Sequence, residues 1–316
     1  MNKLVQAAKK YKAVEMFKQF WRARVSLFAI LELLLLGTSR TSLELLREIV
    51  KLKIQKKLKK RYSHILKKYP LEYTEQASQK IIWICWFQGL EHAPDIVKQC
   101  VASVRKHFRD YNIVIITSDN YRQYVEFPAI IEDRIAKKQI TLTHLSDLLR
   151  LELLIKYGGI WIDSTVYTTS DYFPKEILDA NLFLFQELKP GSNGHSLPIS
   201  SWFIVSKPNH PILLATREML YEYWRRNKKL IDYFLLHHFI SISKEHFSDL
   251  WKDVPRYSNS IPHLLLLEFF NDYSENRLNE ICRLTSLHKL SYKFTNEQLK
   301  KENTYFTNIF KINEEK

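Results

Sequence analysis

The sequence predicts an α/β fold preceded by a basic helical segment, and three observations support this prediction. Residues 80–86 and 112–117 are short, nearly continuous apolar runs typical of buried strands, and residues 94–107 between them have helical spacing. A second helical pattern, residues 141–157, ends at two adjacent glycines that lead into another apolar run. Basic residues are concentrated before residue 70, where the hydrophobic pattern changes.

The charge of the chain is unevenly distributed along its length. The 316 residues carry a net charge of +14. Residues 1–69 contain 18 Lys and Arg against 4 Asp and Glu, whereas residues 70–316 contain 30 of each kind. A domain that tracks nucleic acid needs basic residues along its binding groove. We therefore expect no nucleic-acid partner for the neutral part of the chain, and the basic arm needs a separate explanation.

The basic arm, residues 1–69, has the pattern of a helical hairpin. Apolar residues recur every three or four positions over residues 43–66, with lysines between them. The preceding segment breaks near Gly37, and its longest apolar run spans 12 residues, whereas crossing a bilayer takes about 20 residues. The composition favours a hairpin that lies in an anionic membrane interface. Alternatively, the helices pack on the following domain and leave their lysines in water.

Two further features bear on the compartment. The N-terminus is followed by mixed charges and aromatic residues, so no secretion signal is apparent. The three cysteines are an odd number without CxxC spacing, which favours a reducing compartment. With the basic arm, these features predict a peripheral protein on the cytoplasmic, inner face of the cell membrane.

The domain from residue 70 to residue 316 begins with a strand, a helix and a second strand. This order is typical of a parallel unit, and ligands of such sheets bind at the carboxyl ends of the strands. The first of these ends holds Trp86 and Gln88, and the second is residues 117–120. Trp86 is either a core residue or a stacking platform. The pattern also predicts strands at residues 182–186 and 202–205 and helices after Pro211, Lys229 and Ile261.

The densest group of chemically useful residues lies between residues 146 and 165. Asp147 and Arg150 share one helical face, where they could hold a sugar or ribose hydroxyl group and a phosphate, or form only a surface ion pair. Gly158 and Gly159 give a tight turn that lets backbone approach a ligand. Asp163 follows a strand, where its carboxylate could reach a divalent cation on a diphosphate or merely cap a turn.

The block from residue 81 to residue 165 resembles the DXD-containing, family-32-type glycosyltransferases, especially the capsular polysaccharide synthesis proteins. The resemblance is carried by SDLLR at residues 146–150 and YGGIWID at residues 157–163. It implies a GT-A-like fold, a UDP-sugar or other nucleotide-diphosphate sugar as donor, retention of anomeric configuration, and a Mn²⁺ or Mg²⁺ ion. The second aspartate of the motif would fall at Thr165, whose hydroxyl group could act directly or through water.

Other candidates lie in the second half of the chain. The resemblance assigns metal and diphosphate contacts to the late His288 and Lys289, with Lys293 nearby; alternatively, His288 and Lys289 are an ordinary solvated pair. Residues 187–198 form a loop that could close over a substrate or have no function. Glu187 in this loop and Asp232 are further carboxylates that could act near the sugar.

The sequence therefore predicts a glycosyltransferase that extends an oligosaccharide, with a lipid-linked acceptor, in the synthesis of capsular or other surface polysaccharide. The alternatives are a basic nucleic-acid-binding protein and an inactive transferase-like protein that binds carbohydrate or a partner. The predicted catalytic carboxylates are Asp163, Asp232 and Glu187, and the predicted metal ligands are Asp163 and His288. The predicted donor-binding residues are Trp86, Gln88, Asp147, Arg150, Tyr157, Gly158, Gly159, Asp163, Thr165, Lys289 and Lys293.

Overall fold

The structure is a computed structural model of the chain and describes residues 20–21, 24–188 and 197–310. Most of the predicted arm before residue 24 and most of the predicted loop at residues 187–198 lie outside the described residues.

Seven strands in the described residues form two sheets. They are β1 (Ile81–Cys85), β2 (Asn112–Ile116), β3 (Gly159–Ile162), β4 (Val166–Thr168), β5 (Leu182–Gln186), β6 (Ile199–Ser206) and β7 (Leu287–Lys289). The larger sheet has the order β2-β1-β3-β6-β5, and β4 pairs with β7 in the smaller one. β1 runs parallel to β2 and β3, whereas β6 is antiparallel to β3 and β5. The architecture is the α/β class that the sequence predicts.

The helices flank these sheets. The α-helices are α1 (Ser26–Leu36), α2 (Arg40–Tyr62), α3 (Asp95–His107), α4 (Tyr121–Tyr124), α5 (Ala129–Ala136), α6 (Leu142–Tyr157), α7 (Lys175–Leu178), α8 (Pro211–Arg226), α9 (Leu235–His246), α10 (Ser248–Lys252), α11 (Leu264–Glu268), α12 (Glu275–Leu284), α13 (Asn296–Leu299) and α14 (Tyr305–Ile309). Short 3₁₀ helices cover Ser63–Lys68, Leu90–His92 and Ile261–His263.

The central helix α6 is almost entirely buried. Its side-chain cap is Thr141, which accepts a hydrogen bond from the backbone of His144, and it ends at Gly158. Leu149, Leu151 and Leu153 are all buried although they lie on different faces, because α6 packs between the sheet and α8. Two charged residues of this helix, Asp147 and Arg150, are buried with its apolar side chains.

The apolar face of α2 is part of the domain core. Leu46, Val50, Ile54 and Leu58 are buried, and the Tyr62 ring packs edge-on against Phe239 of α9 with ring centroids 5.4 Å apart. Most of the lysines of α2 remain in water. The apolar face of α2 therefore packs on the domain that follows, as in the alternative interpretation, and its lysines stay on the outer face.

Helix α1 has a different environment. It joins α2 through Gly37, at the predicted break, with a φ of 71°. Leu27, Leu34 and Leu35 of α1 are 87%, 78% and 70% exposed, which is unusual for large apolar side chains on one short helix. No helix in the described part of the chain is long and apolar enough to span a membrane.

Candidate active site

A cleft with a volume of about 740 Å³ opens where β1 and β3 end. Strands that run in parallel end at the same edge, so the residues after them meet there. The cleft is polar at its base and aromatic on two sides. The predicted site residues that line it are Trp86, Gln88, Asp147, Arg150, Asp163, Thr165, Lys289 and Lys293.

Arg150 is the buried cation at the base of the cleft. Its Nη1 donates to the carbonyl oxygen of Ser201 at 2.5 Å and to the Ser201 hydroxyl oxygen at 2.7 Å. Its Nη2 lies 3.2 Å from Asp147 Oδ1 and 3.7 Å from Asp163 Oδ1. Asp147 and Arg150 are both buried, so their pair is not the surface ion pair that was the alternative interpretation.

Asp163 directly follows β3 and carries the central carboxylate. Its Oδ1 accepts a hydrogen bond from Trp161 Nε1 at 3.0 Å, and its Oδ2 lies 3.1 Å from Lys289 Nζ. Burial by itself would raise the pKa of Asp163, but the charges of Lys289 and Arg150 outweigh it and lower the pKa below the usual value. The carboxylate is therefore ionised and held between two cations. The Trp161 side chain itself is buried.

The small sheet brings Lys289 to this carboxylate. In the β4–β7 pairing, Val166 is opposite Lys289, and the backbone N–H of Leu290 donates to the carbonyl oxygen of Thr165 at 2.9 Å. Lys289 Nζ donates to the Thr165 hydroxyl oxygen at 2.6 Å. The Lys289 ammonium group thus bridges Asp163 and Thr165.

Aromatic side chains contribute much of the lining of the cleft. The Trp86 and Tyr292 rings meet edge-to-face with centroids 5.3 Å apart. Tyr233, Phe234 and His237 also line the cleft. Burial lowers the pKa of His237 to about 4, so this imidazole is neutral near pH 7.

Several residues of the cleft were absent from the sequence prediction. Tyr292, Ser201 and the group of Tyr233, Phe234 and His237 line it, although the sequence analysis assigned them no role. Tyr292 lies between Lys289 and Lys293, so its position in the chain was a usable signal. Ser201 gave no signal, because its contact with Arg150 joins residues 51 positions apart.

Tyr157, Gly158 and Gly159, which were predicted to contact the donor, lie away from the cleft. These residues precede or begin β3, at the opposite end of the strand from Asp163, and they do not line the cleft. The Tyr157 hydroxyl group donates to the carbonyl oxygen of Tyr124. The glycines allow close packing of protein backbone instead of a ligand, since a Cβ on Gly159 would lie 2.4 Å from the Ile81 carbonyl oxygen.

Three further candidates do not line the cleft. His288 is fully buried, and its Nε2 lies 3.1 Å from the Thr169 hydroxyl oxygen. It alternates with Lys289 along β7, so the two side chains point to opposite faces, and its role as a metal ligand stays a prediction. Asp232 is buried and hydrogen-bonds His238 Nε2 at 2.8 Å. Glu187 accepts a hydrogen bond from Asn259 Nδ2 at 2.7 Å. Their predicted roles near the sugar stay predictions.

Comparison with known sequences decides the family. The sequence model of the capsular polysaccharide synthesis proteins matches residues 39–309.

The chain belongs to this family.

The family match confirms the resemblance carried by residues 146–150 and 157–163, and the mixed five-stranded sheet flanked by helices confirms the α/β class. It begins at residue 39, so α2 is included in the matched part.

Two relatives carry the names of glycosyltransferases. The chain is 30% identical over 96 residues to the O-glycosyltransferase braB of Annulohypoxylon truncatum, which covers 28% of this chain and 23% of that protein. The chain thus matches about a quarter of the length of this curated relative. The solved structure of the PaToxG glycosyltransferase is 16% identical, with a TM-score of 0.37 over 84% of this chain and 97% of that one.

The residues of this family member do not form a usual divalent-cation site. Mn²⁺ and Mg²⁺ prefer several oxygen ligands, commonly carboxylates. Among the described residues, no group of three or more His, Cys, Asp or Glu side chains is arranged to hold a metal ion. Asp163 already contacts Lys289 and Arg150, and Thr165 replaces the second carboxylate of the motif. The Mn²⁺ or Mg²⁺ that the resemblance implies stays a prediction.

Proposed function

We propose that this capsular polysaccharide synthesis protein transfers a sugar from a nucleotide-diphosphate donor, such as a UDP-sugar, to a hydroxyl group of a lipid-linked oligosaccharide. The proposal depends on one observation, the ionised Asp163 between Arg150 and Lys289 at the base of an aromatic-walled cleft. Cations can bind a diphosphate, and a buried carboxylate can bind hydroxyl groups of a sugar or ribose. Retention of configuration is expected from the family resemblance.

The proposed transfer needs positive charge beside the departing diphosphate. The bond between the anomeric carbon and the diphosphate oxygen breaks, and its electron pair remains on that oxygen. The acceptor oxygen bonds to the anomeric carbon, and its proton passes to the diphosphate. Fixed cations aimed at the departing oxygen lower the barrier because they require no reorganisation during the reaction. Arg150 is fixed in this way by Ser201 and Asp147.

The donor site can be tested with thermal unfolding of the full chain in the presence of UDP-, GDP-, ADP- and CDP-sugars, with and without Mn²⁺. A ligand at about 100 times its Kd stabilises a protein by about 2.7 kcal/mol, which is a measurable rise in Tm. We expect one nucleotide class to raise the Tm of the wild type and to lose this effect in Asp163→Asn. Asp110→Asn is the matched control, because Asp110 is exposed before β2, at the opposite edge of the sheet. A panel without any stabilising member would contradict the proposal.

We also propose that the protein works on the anionic inner face of the cell membrane, where a lipid-linked acceptor would be found. The exposed leucines of α1 support this proposal, as do the exposed lysines of α2. Lys51 of α2 lies 5.1 Å from the centre of the Phe234 ring, which lines the cleft. The basic hairpin therefore contacts a side chain that lines the cleft. Anionic lipids contribute about 1 kcal/mol for each Lys or Arg near the surface.

The membrane proposal can be tested by sedimentation with vesicles of phosphatidylcholine, with and without phosphatidylglycerol. The triple change of Leu27, Leu34 and Leu35 to serine should weaken binding to the anionic vesicles about 100-fold, because each inserted leucine contributes on the order of 1 kcal/mol. The matched control changes three exposed leucines elsewhere, namely Leu267, Leu284 and Leu299. Equal binding of the two triple variants would exclude α1 as the docking surface.

A further inference from the structure

The Lys289 ammonium group occupies the place between the two side chains of the DXD-like motif. It lies 3.1 Å from Asp163 Oδ2 and 2.6 Å from Thr165 Oγ1. In the pattern that the family resemblance describes, both of these positions carry carboxylates that hold a divalent cation. Here a protein cation contacts both positions, and the second position has no charge.

The net charge at this point of the cleft is the same with the lysine as with a divalent cation between two carboxylates. Two carboxylates with a divalent cation sum to zero, and so do one carboxylate and one ammonium group. Thr165 suits this arrangement because its hydroxyl oxygen accepts a hydrogen bond from Lys289 without adding a second negative charge. An aspartate at position 165 would instead leave the group with a net negative charge, unfavourable for a diphosphate.

The position of Lys289 is fixed by the fold. The backbone hydrogen bond from Leu290 to Thr165 and the pairing of Val166 with Lys289 hold β7 against the end of the motif. A lysine ammonium group has three N–H donors, and Asp163 and Thr165 account for two of them. One donor is left for a phosphate oxygen.

We propose that Lys289 replaces the divalent cation, so that this protein binds its nucleotide-diphosphate donor and supports its departure without a metal ion. The inference rests on the proposed function, because it concerns the same cleft. When the anomeric bond breaks, the charge that develops on the diphosphate meets the ammonium group of Lys289 and the guanidinium group of Arg150. A divalent ion bound to Asp163 would have to displace or repel Lys289.

Calorimetric titration of the full chain with UDP and GDP, in EDTA and in Mn²⁺, tests this inference. We expect the better nucleotide to bind with the same Kd in both conditions. Lys289→Met should weaken binding in EDTA about ten- to hundredfold, the range for a hydrogen bond to a charged group. Lys289→Arg keeps the charge and should retain part of the affinity. Lys300→Met, a change of an exposed lysine outside the cleft, should bind like the wild type.

A second variant keeps the test decisive if Lys289→Met is unstable. The double change Thr165→Asp with Lys289→Ala restores two carboxylates without the ammonium group, and it should bind the nucleotide in Mn²⁺ but not in EDTA. Binding by the wild type only in Mn²⁺, or unchanged binding by a folded Lys289→Met in EDTA, would overturn this inference alone. Absence of binding by UDP, GDP, ADP and CDP, both in EDTA and in Mn²⁺, would overturn the proposed function with it.

Discussion

The two ends of β3 have different surroundings, although one short motif encodes both. At its start, Gly158 and Gly159 have φ values of 67° and 93° and lie against protein backbone and side chains. At its end, Asp163 faces a cleft and contacts two cations. A strand advances about 3.3 Å per residue, so Gly159 and Asp163 lie on the order of 13 Å apart.

The difference shows that adjacency in the sequence does not mean adjacency in a site. The glycines permit β3 to pack closely beside β1. This packing places Asp163, at the other end of β3, in the cleft. Stability and ligand binding should therefore respond separately to changes at the two ends. Denaturation reports the stability and nucleotide titration reports the binding, so the two responses can be compared in one variant.

The largest effect is expected from Gly159→Ala. The new methyl group would lie 2.4 Å from the Ile81 carbonyl oxygen, and a φ of 93° disfavours any side chain. Backbone strain and overpacking together should lower the free energy of unfolding by about 4 kcal/mol, measured by urea denaturation. Gly37→Ala should cost only about 1 kcal/mol, because its φ is 71° but no atom lies within 4 Å. If the Gly159→Ala variant were stable but did not bind the nucleotide, Gly159 would be assigned to the donor site instead.

A smaller effect is expected from the titration of His288. In β7, as in β3, one residue lines the cleft and another is buried in the protein: Lys289 lines the cleft, and His288 does not. Burial lowers the pKa of His288 to about 4, whereas an unfolded histidine titrates near 6.5. The unfolded chain therefore takes up a proton at a higher pH than the folded one. The contribution of neutral His288 to the free energy of unfolding is fully present above pH 6.5. It is lost as the pH falls toward 4, by up to about 3 kcal/mol.

His288→Gln removes this titrating group, so the difference between the variant and the wild type reports the titration of His288. Its free energy of unfolding should fall less steeply than that of the wild type as the pH is lowered through this window. Nucleotide binding near neutral pH should not change, because His288 faces Thr169 and not the cleft. Parallel stability profiles for the two proteins would show that another group causes the acid sensitivity.

The sequence predicted the parts of the fold that depend on local pattern. Runs such as residues 81–85 are apolar and β-branched because both faces are buried, so their pattern is visible without the structure. Asp147, Arg150 and Asp163 were also predictable, since a helix face and the following strand end point to the same edge of the sheet.

The remainder of the site depends on contacts that sequence pattern does not record. β4 and β7 have three residues each and lie more than 100 residues apart, so their pairing, which carries Lys289 to Thr165, has no local signature. The packing of the glycine pair could not be told from the sequence, because close approach to protein and close approach to a ligand require the same residue. The hydrogen bond of Asp232 with His238 is likewise recognisable only from the folded chain.

The smallest effect is expected at the last residue of the motif. Thr165→Val removes the hydroxyl group that accepts from Lys289 but preserves the shape of the side chain, and Asp163 still holds the ammonium group. The nucleotide Kd in EDTA should therefore rise about tenfold, the low end for losing a hydrogen bond to a charged group. Thr165→Ser, which keeps the hydroxyl group, should bind like the wild type. Because the residue lies at the cleft end of β3, the unfolding free energy should change much less than in Gly159→Ala. If Thr165→Val bound normally while Lys289→Met did not, Asp163 alone would position the ammonium group.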